Sequence, residues 1–187
     1  VDNLIESLID YSKPRSQNKA TVDVAEVVDS CVALFKPVLE QKGIDICVNV
    51  PDKMHIYCDK SQVKQALINF LLNSIDAVTE KKEMCPDTGY KARIGVEGFC
   101  CEAEMVLLIR DNGIGMDEVE VQKSYDMFYT TKEKGTGLGI PLSIQMLGMN
   151  NCRVSINSKK NEGTDIIMRF IGQKAINGTE GSKEKRG

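Results

Sequence analysis

Asn69-Phe70-Leu71-Leu72-Asn73-Ser74-Ile75-Asp76-Ala77 places two amides four residues apart on one face of a helix, with Asp76 and Ala77 a turn further on. Val63, Ala66, Leu67, Phe70, Leu71, Ser74 and Ala77 recur at intervals of three and four, so the helix begins near Asp59 or Ser61 and turns them inward. The two amides therefore sit among Ile68, Phe70, Leu71 and Leu72. A buried amide without partners costs about 1–3 kcal/mol, so each needs one. Capping of neighbouring loops would supply partners. So would a ligand, because amide oxygens are hard donors suited to Mg2+ beside phosphate oxygens.

On the amino-terminal side, residues 55–58 form a short extended piece, and Ile44, Ile46, Val48 and Val50 alternate as a strand with one buried face. Before them, Asp23 caps a helix that carries Val24, Val27, Val28, Cys31, Leu34, Phe35, Val38 and Leu39 on one face, kinks at Pro37 and stops at Gly43. Residues 13–19 are polar. Leu4, Ile5, Leu8 and Ile9 have helical spacing and stop near Pro14, which reads as the end of a helix begun ahead of Val1.

On the carboxyl-terminal side, a polar loop over 80–90 precedes strands at 93–99 and 105–110. The second strand runs into Asp111-Asn112-Gly113-Ile114-Gly115, where a carboxylate closes an apolar run and glycines let the backbone approach a ligand. A plain turn would use the same residues. Residues 116–134 mix charges with Met127, Phe128 and Tyr129, too polar for a core and long for a connection, so they form a candidate mobile lid. Gly135-Thr136-Gly137-Leu138-Gly139 then opens a helix through about Leu147, whose free first-turn amides favour an anion and tolerate Pro141. The spacing is neither that of a P-loop nor G-x-G-x-x-G. Strands at 152–157 and 164–170 follow, the last entered through Glu162-Gly163-Thr164. The chain thus divides into a helix end and linker over 1–20, one domain over 21–171 and a polar, disordered tail over 172–187.

Composition sets the bounds. In 187 residues, 42% hydrophobic and 27% charged residues suffice for one globular core, and no apolar run reaches the roughly 18–20 residues of a membrane span. A net charge of -3, no Trp, five Phe and five Tyr argue against nucleic acid and anionic lipid as partners. Seven cysteines, an odd number without a C-x-x-C pair, and a single histidine argue against zinc. Most of the thiols read as reduced core residues of a cytoplasmic protein.

Taken in order, these motifs resemble a known set. Asn69–Ala77 is similar to the N box, Asp111–Met116 to the G1 box, Met127-Phe128-Tyr129-Thr130-Thr131-Lys132 to the F box and Gly135–Ile140 to the G2 box of sensor histidine kinases. These are ATP-binding domains of the superfamily shared with type II topoisomerases, Hsp90 chaperones and MutL proteins. The resemblance covers about Thr21 to Phe170, and Val1–Arg15 resembles the end of a dimerisation helix. It implies a two-layer α/β sandwich, a mixed sheet with helices on one face. It also implies ATP with Mg2+ as cofactors.

By that resemblance Asp111 accepts from the adenine amino group, supported by Thr164 and a water, Asn73 holds Mg2+, and Asn69 and Lys132 are the catalytic pair beside the phosphates. Lys132 and the amides of Gly135, Thr136, Gly137, Leu138 and Gly139 neutralise the triphosphate, and Phe128 anchors the lid. Asp76, Ala77, Gly113, Ile114, Gly115, Met116, Thr130 and Thr131 complete the implied nucleotide contacts. The implied activity is transfer of the γ-phosphoryl group to a histidine on a dimerisation domain outside this sequence, then to a response regulator aspartate. The implied parent is a homodimer. His55, the single histidine, is followed by Ile56 in an extended stretch and does not match the family's helical acceptor. Two other readings share these motifs: an ATP-hydrolysing clamp and a nucleotide-binding module without transfer activity.

Overall fold

The computed structural model describes residues 18–52, 54–86, 89–101, 104–132 and 135–172. The expected first helix and the tail beyond Gly172 lie outside the described residues.

Asp23 stops strand β1 (Lys19–Asp23) and starts helix α1 (Val24–Lys42) by accepting from the amides of Ala25 and Glu26. The helix continues past Pro37, and Gly43 ends it with a left-handed φ of 59°. Strand β2 (Asp45–Asn49) and strand β3 (His55–Asp59) follow. Asp59 in turn caps helix α2 (Lys60–Met84), accepting from Ser61 and Gln62. Strand β4 (Arg93–Cys101), strand β5 (Glu104–Asp111), the short helix α3 (Glu118–Lys123), helix α4 (Gly139–Met149), strand β6 (Cys152–Lys159) and strand β7 (Gly163–Ile171) complete the order.

The main sheet has the order β2-β4-β5-β7-β6, with β2 parallel to β4 and the other neighbours antiparallel. Ile94, Val96, Met105, Leu107, Ile109, Ile156, Ile166, Met168 and Phe170 face the helices and form one core with Val63, Leu67, Phe70 and Leu71 of α2. This is the expected two-layer sandwich. Its far face carries Arg93, Glu97, Arg110 and Asp165, of which Arg110 and Asp165 are register partners across β5 and β7 and form an ion pair.

Four local expectations change. Lys19 and Ala20, expected in a linker, begin β1, which pairs antiparallel with β3 in a separate two-stranded sheet. Only Val22 of β1 is buried, so there was no alternating pattern to read. Helix α2 runs to Met84 rather than ending at a loop near Glu80, because Glu80, Lys81, Lys82 and Glu83 are good helix formers on a solvated turn. The face of β2 is less buried than alternation predicts: Val48 pairs with buried Val96 yet is 37% exposed, because β2 is an edge strand. Of the cysteines, Cys31, Cys58 and Cys152 are buried, but Cys47 and Cys100 lie on the surface.

A buried amide locks the two helices that flank the site. Asn150, fully buried at the end of α4, accepts from the Asp59 amide at 2.7 Å and donates to Gln62 Oε1 and the Met146 carbonyl, both at 2.8 Å. It thus ties the carboxyl end of α4 to the amino end of α2. Among the described residues no helix is long and apolar enough to cross a membrane.

Candidate nucleotide-binding site

A cleft of about 490 Å3 opens between α2, the loop after β5, residues 129–132 and 135–137, and the start of α4. Its size suits a small organic ligand. Ala77, Ile114, Met116, Ile156 and Ile166 make one end apolar, and Asp111 sits there at the end of β5.

Asp111 is 6% exposed. Its Oδ2 accepts from Ser74 Oγ at 3.0 Å and its Oδ1 from the Gly113 amide at 2.9 Å. Burial pushes its carboxyl up to about 6, against the opposing hydrogen bonds of Gly113, Ser74 and Thr164. A carboxylate so placed is a strong acceptor for an N–H group that enters the apolar end, because that partner offsets an otherwise unfavourable charge. The loop after it is pressed onto α2: the Ile114 amide donates to the Ala77 carbonyl at 3.2 Å. A Cβ on Gly113 would lie 2.6 Å from the carbonyl carbon of Ala77, so this approach requires glycine.

The opposite end is polar. Asn69 Nδ2 donates to the buried Ser143 Oγ of α4 at 3.0 Å. Lys132 Nζ donates to Asn73 Oδ1 at 3.1 Å and to Asp76 Oδ2 at 2.6 Å. Leu138 caps α4 without a side-chain bond, which leaves first-turn amides free beside the cleft. Gly139 starts the helix against Asn69, whose side-chain oxygen occupies the space a Cβ would need. Thr130 Oγ1 accepts from the Lys132 amide at 3.1 Å, and Thr136 Oγ1 from the Leu138 amide at 3.4 Å.

The cleft gathers Asn69, Asn73, Asp76, Ala77, Asp111, Ile114, Gly115, Met116, Thr130, Thr131, Lys132, Gly135, Thr136, Gly137, Gly139 and Thr164. Three residues of the expected set do not line it. Gly113 lies behind the loop against Ala77, and Leu138 is buried at 3% exposure. Phe128 points its ring outward, 57% exposed, and contributes instead its amide, which donates to the Gly137 carbonyl at 2.9 Å. Its φ of 70° is the left-handed turn that brings 129–132 back toward the cleft. Thr164 Oγ1 lies 2.8 Å from Ser158 Oγ, and Ser158 accepts from the Met116 amide at 2.8 Å.

The lid is also more ordered at its start than its polarity suggests. Asp117 and Glu120 form a capping box on α3, Lys160 pairs with Glu120, and Tyr125 accepts from the Ile156 amide at 3.2 Å on the free edge of β6. Ser74, Ser143 and Ser158 escaped the sequence reading as site residues. Ser74 has a signal, since its helical spacing turns a polar residue inward, whereas Ser143 and Ser158 meet the site only through packing of distant elements.

The donor set fits an adenine nucleotide: a buried acceptor in an apolar slot at one end, amides and an ammonium at the other. Hard oxygens at Asn73 and Asp76 also fit a divalent ion near the phosphates.

A two-layer sandwich with this cleft defines an ATP-binding domain of the kinase and ATPase type. The family described as histidine kinase-, DNA gyrase B-, and HSP90-like ATPase matches residues 58–173, and the chain belongs to it. Sensor protein DegM of Bacillus sp. (strain B21-2) is 28% identical over 167 residues, which cover 89% of this chain and 42% of DegM. The chain spans less than half the length of such relatives. Full-length ShkA in complex with AMPPNP superposes with a TM-score of 0.77 at 17% identity, over 92% of this chain and 36% of that one. Histidine kinase ThkA in complex with response regulator protein TrrA gives 0.74 at 18% identity, over 92% and 47%. At these identities the two structures share the fold.

Proposed function

We propose that this chain is the ATP-binding catalytic domain of a sensor histidine kinase, which holds Mg-ATP and donates its γ-phosphoryl group to a histidine on a dimerisation domain. One observation carries the reading: a single cleft joins the buried Asp111 carboxylate to Asn69, Asn73, Lys132 and the open amino end of α4.

Asp111 accepts from the adenine amino group, and Thr164 supports it through its backbone. Asn73, with Asp76 beside it, would hold Mg2+, which supplies charge neutralisation at the phosphates. Lys132 leaves Asn73 and Asp76 to take up phosphate charge, together with the amides of 135–139. Lys132 and Asp76 are 42% and 54% exposed, so their ion pair contributes roughly 0–1 kcal/mol and is readily exchanged. Asn69 is held by Ser143 and is not basic at neutral pH, so it orients without activating water. Transfer by positioning and charge neutralisation therefore suits these residues better than hydrolysis by a clamp.

The acceptor is a histidine elsewhere in a homodimeric parent, and a response regulator aspartate receives the group next, with the domain on the cytoplasmic side. His55 lies on β3, which contributes nothing to the cleft lining. Incubation with γ-labelled ATP, with and without an added dimerisation domain, tests the reading. Label is expected on the added domain alone. Absence of ATP and ADP binding in a titration with Mg2+ would refute it.

A further inference from the structure

The loop that presents Asp111 is held from behind by residues outside the cleft. Lys81, half-buried on α2, donates from Nζ to the carbonyl of Asn112 at 2.8 Å and to the carbonyl of Asn161 at 2.6 Å. The same ammonium lies 5.1 Å from the centroid of the Tyr90 ring. Two carbonyls and one aromatic face thus surround an ammonium with three protons.

Tyr90 and Asn112 complete the support. The Tyr90 hydroxyl lies 3.0 Å from the Asn112 carbonyl and 2.9 Å from its Oδ1, and its proton serves one of them at a time. The Asn112 side chain is engaged at both ends: Oδ1 accepts from the Arg93 amide and Nδ2 donates to the Lys91 carbonyl, both at 2.8 Å. Asn161, at a φ of 63° that asparagine tolerates, donates its amide to the Ile114 carbonyl at 2.6 Å. The carbonyls on both sides of Gly113 are therefore anchored, one to Lys81 directly and one to Asn161, whose own carbonyl returns to Lys81.

We propose that Lys81 is a positioning residue for base recognition: by joining Asn112 to Asn161, with Tyr90 behind, it sets the depth at which the Asp111 loop meets the cleft. The proposal rests on the nucleotide reading of that cleft. A lysine near the end of a helix also complements the helix dipole, but that role would leave the ammonium on the last carbonyls of α2. Here it reaches carbonyls 31 and 80 residues away in sequence, from two different loops.

Lys81→Met keeps an apolar stem beside Tyr90 and removes the donors. Titration of the full chain with ADP, well below each variant's melting temperature, is expected to show affinity lower by roughly tenfold, the scale of one charge-assisted hydrogen bond. Amide exchange at Gly113 and Ile114 should accelerate, and Lys81→Arg should restore both. Tyr90→Phe, which deletes only the hydroxyl, should weaken ADP by a smaller factor and serves if Lys81→Met does not fold. A lower melting temperature with unchanged ADP affinity and unchanged exchange at Gly113, in whichever variant folds, overturns the proposal and leaves the nucleotide reading intact. A parent chain that binds no ADP overturns both.

Discussion

At neutral pH Asp111 carries its charge in a place that disfavours it, because burial pushes the carboxyl from an ordinary 3.8 up to about 6. The folded chain therefore holds a proton on Asp111, between those values, that the unfolded chain has released. Stability from this group is greatest at low pH and declines as pH rises from about 4 to above 6, at a cost on the order of 3 kcal/mol. Asp111→Asn removes that cost and can keep the Gly113 bond, with the Ser74 hydroxyl turned to accept. It should raise the thermal midpoint at neutral pH, flatten its dependence over pH 4–7 and weaken ADP at least tenfold; calorimetric melts and ADP titrations read these outcomes. An unchanged ADP affinity would remove Asp111 from base recognition. Gly113→Ala acts oppositely. Its Cβ would meet the Ala77 backbone at 2.6 Å, so loop or helix must shift, and urea unfolding should show a loss of about 1–3 kcal/mol.

Within the lid, two halves differ in what holds them. Residues 117–125 have a capping box, the Lys160–Glu120 pair and the Tyr125 bond to the edge of β6. Residues 126–132 have turn bonds back to Lys123 and Asp126 and a Lys123–Tyr129 ring contact, but reach the rest of the fold through the bond from Phe128 to Gly137 and the exposed contacts of Lys132 with Asn73 and Asp76. Hydrogen exchange should therefore show Mg-ATP protecting 126–132 and 135–137 while leaving 118–124 nearly unchanged. Equal protection across both halves would show that the lid moves as one body. Lys132→Ala should weaken ATP more than ADP, and leave stability within about 0.5 kcal/mol because the pair it breaks is exposed.

For the molecule as a whole, the proposed role of Asn69 as an orienting amide predicts retention of ATP. The family resemblance implies a water-activating glutamate at this place in hydrolysing clamp-type relatives; here the position is an amide tied to Ser143. Steady phosphate release by the chain should be negligible, and Asn69→Glu should raise it if the new carboxylate can reach water without repelling the phosphates. Release from the parent chain at the rate of those relatives would count against phosphoryl transfer as the function.

How much of this was legible in the sequence follows from how local each cause is. Asp23 as a cap, Gly43 as a stop and the inward face of α2 are set within a few residues, and local capping signals and periodicity revealed them, whereas those signals alone allow either Asp59 or Ser61 at the start of α2. The family resemblance came from ordered motifs, each itself a short local run. Strand β1 was hidden because its pairing with β3 supplies what its own side chains do not signal. The end of α2 was hidden because a solvated helical turn and a polar loop share one composition. Only the folded chain could bring Ser74 and Thr164 to the Asp111 carboxylate, turn the Phe128 ring outward, or carry Lys81 to carbonyls from two distant loops. Those contacts join residues tens of positions apart, so they depend on the register of β5 with β7 and the seating of α2 on the sheet, which no single segment specifies.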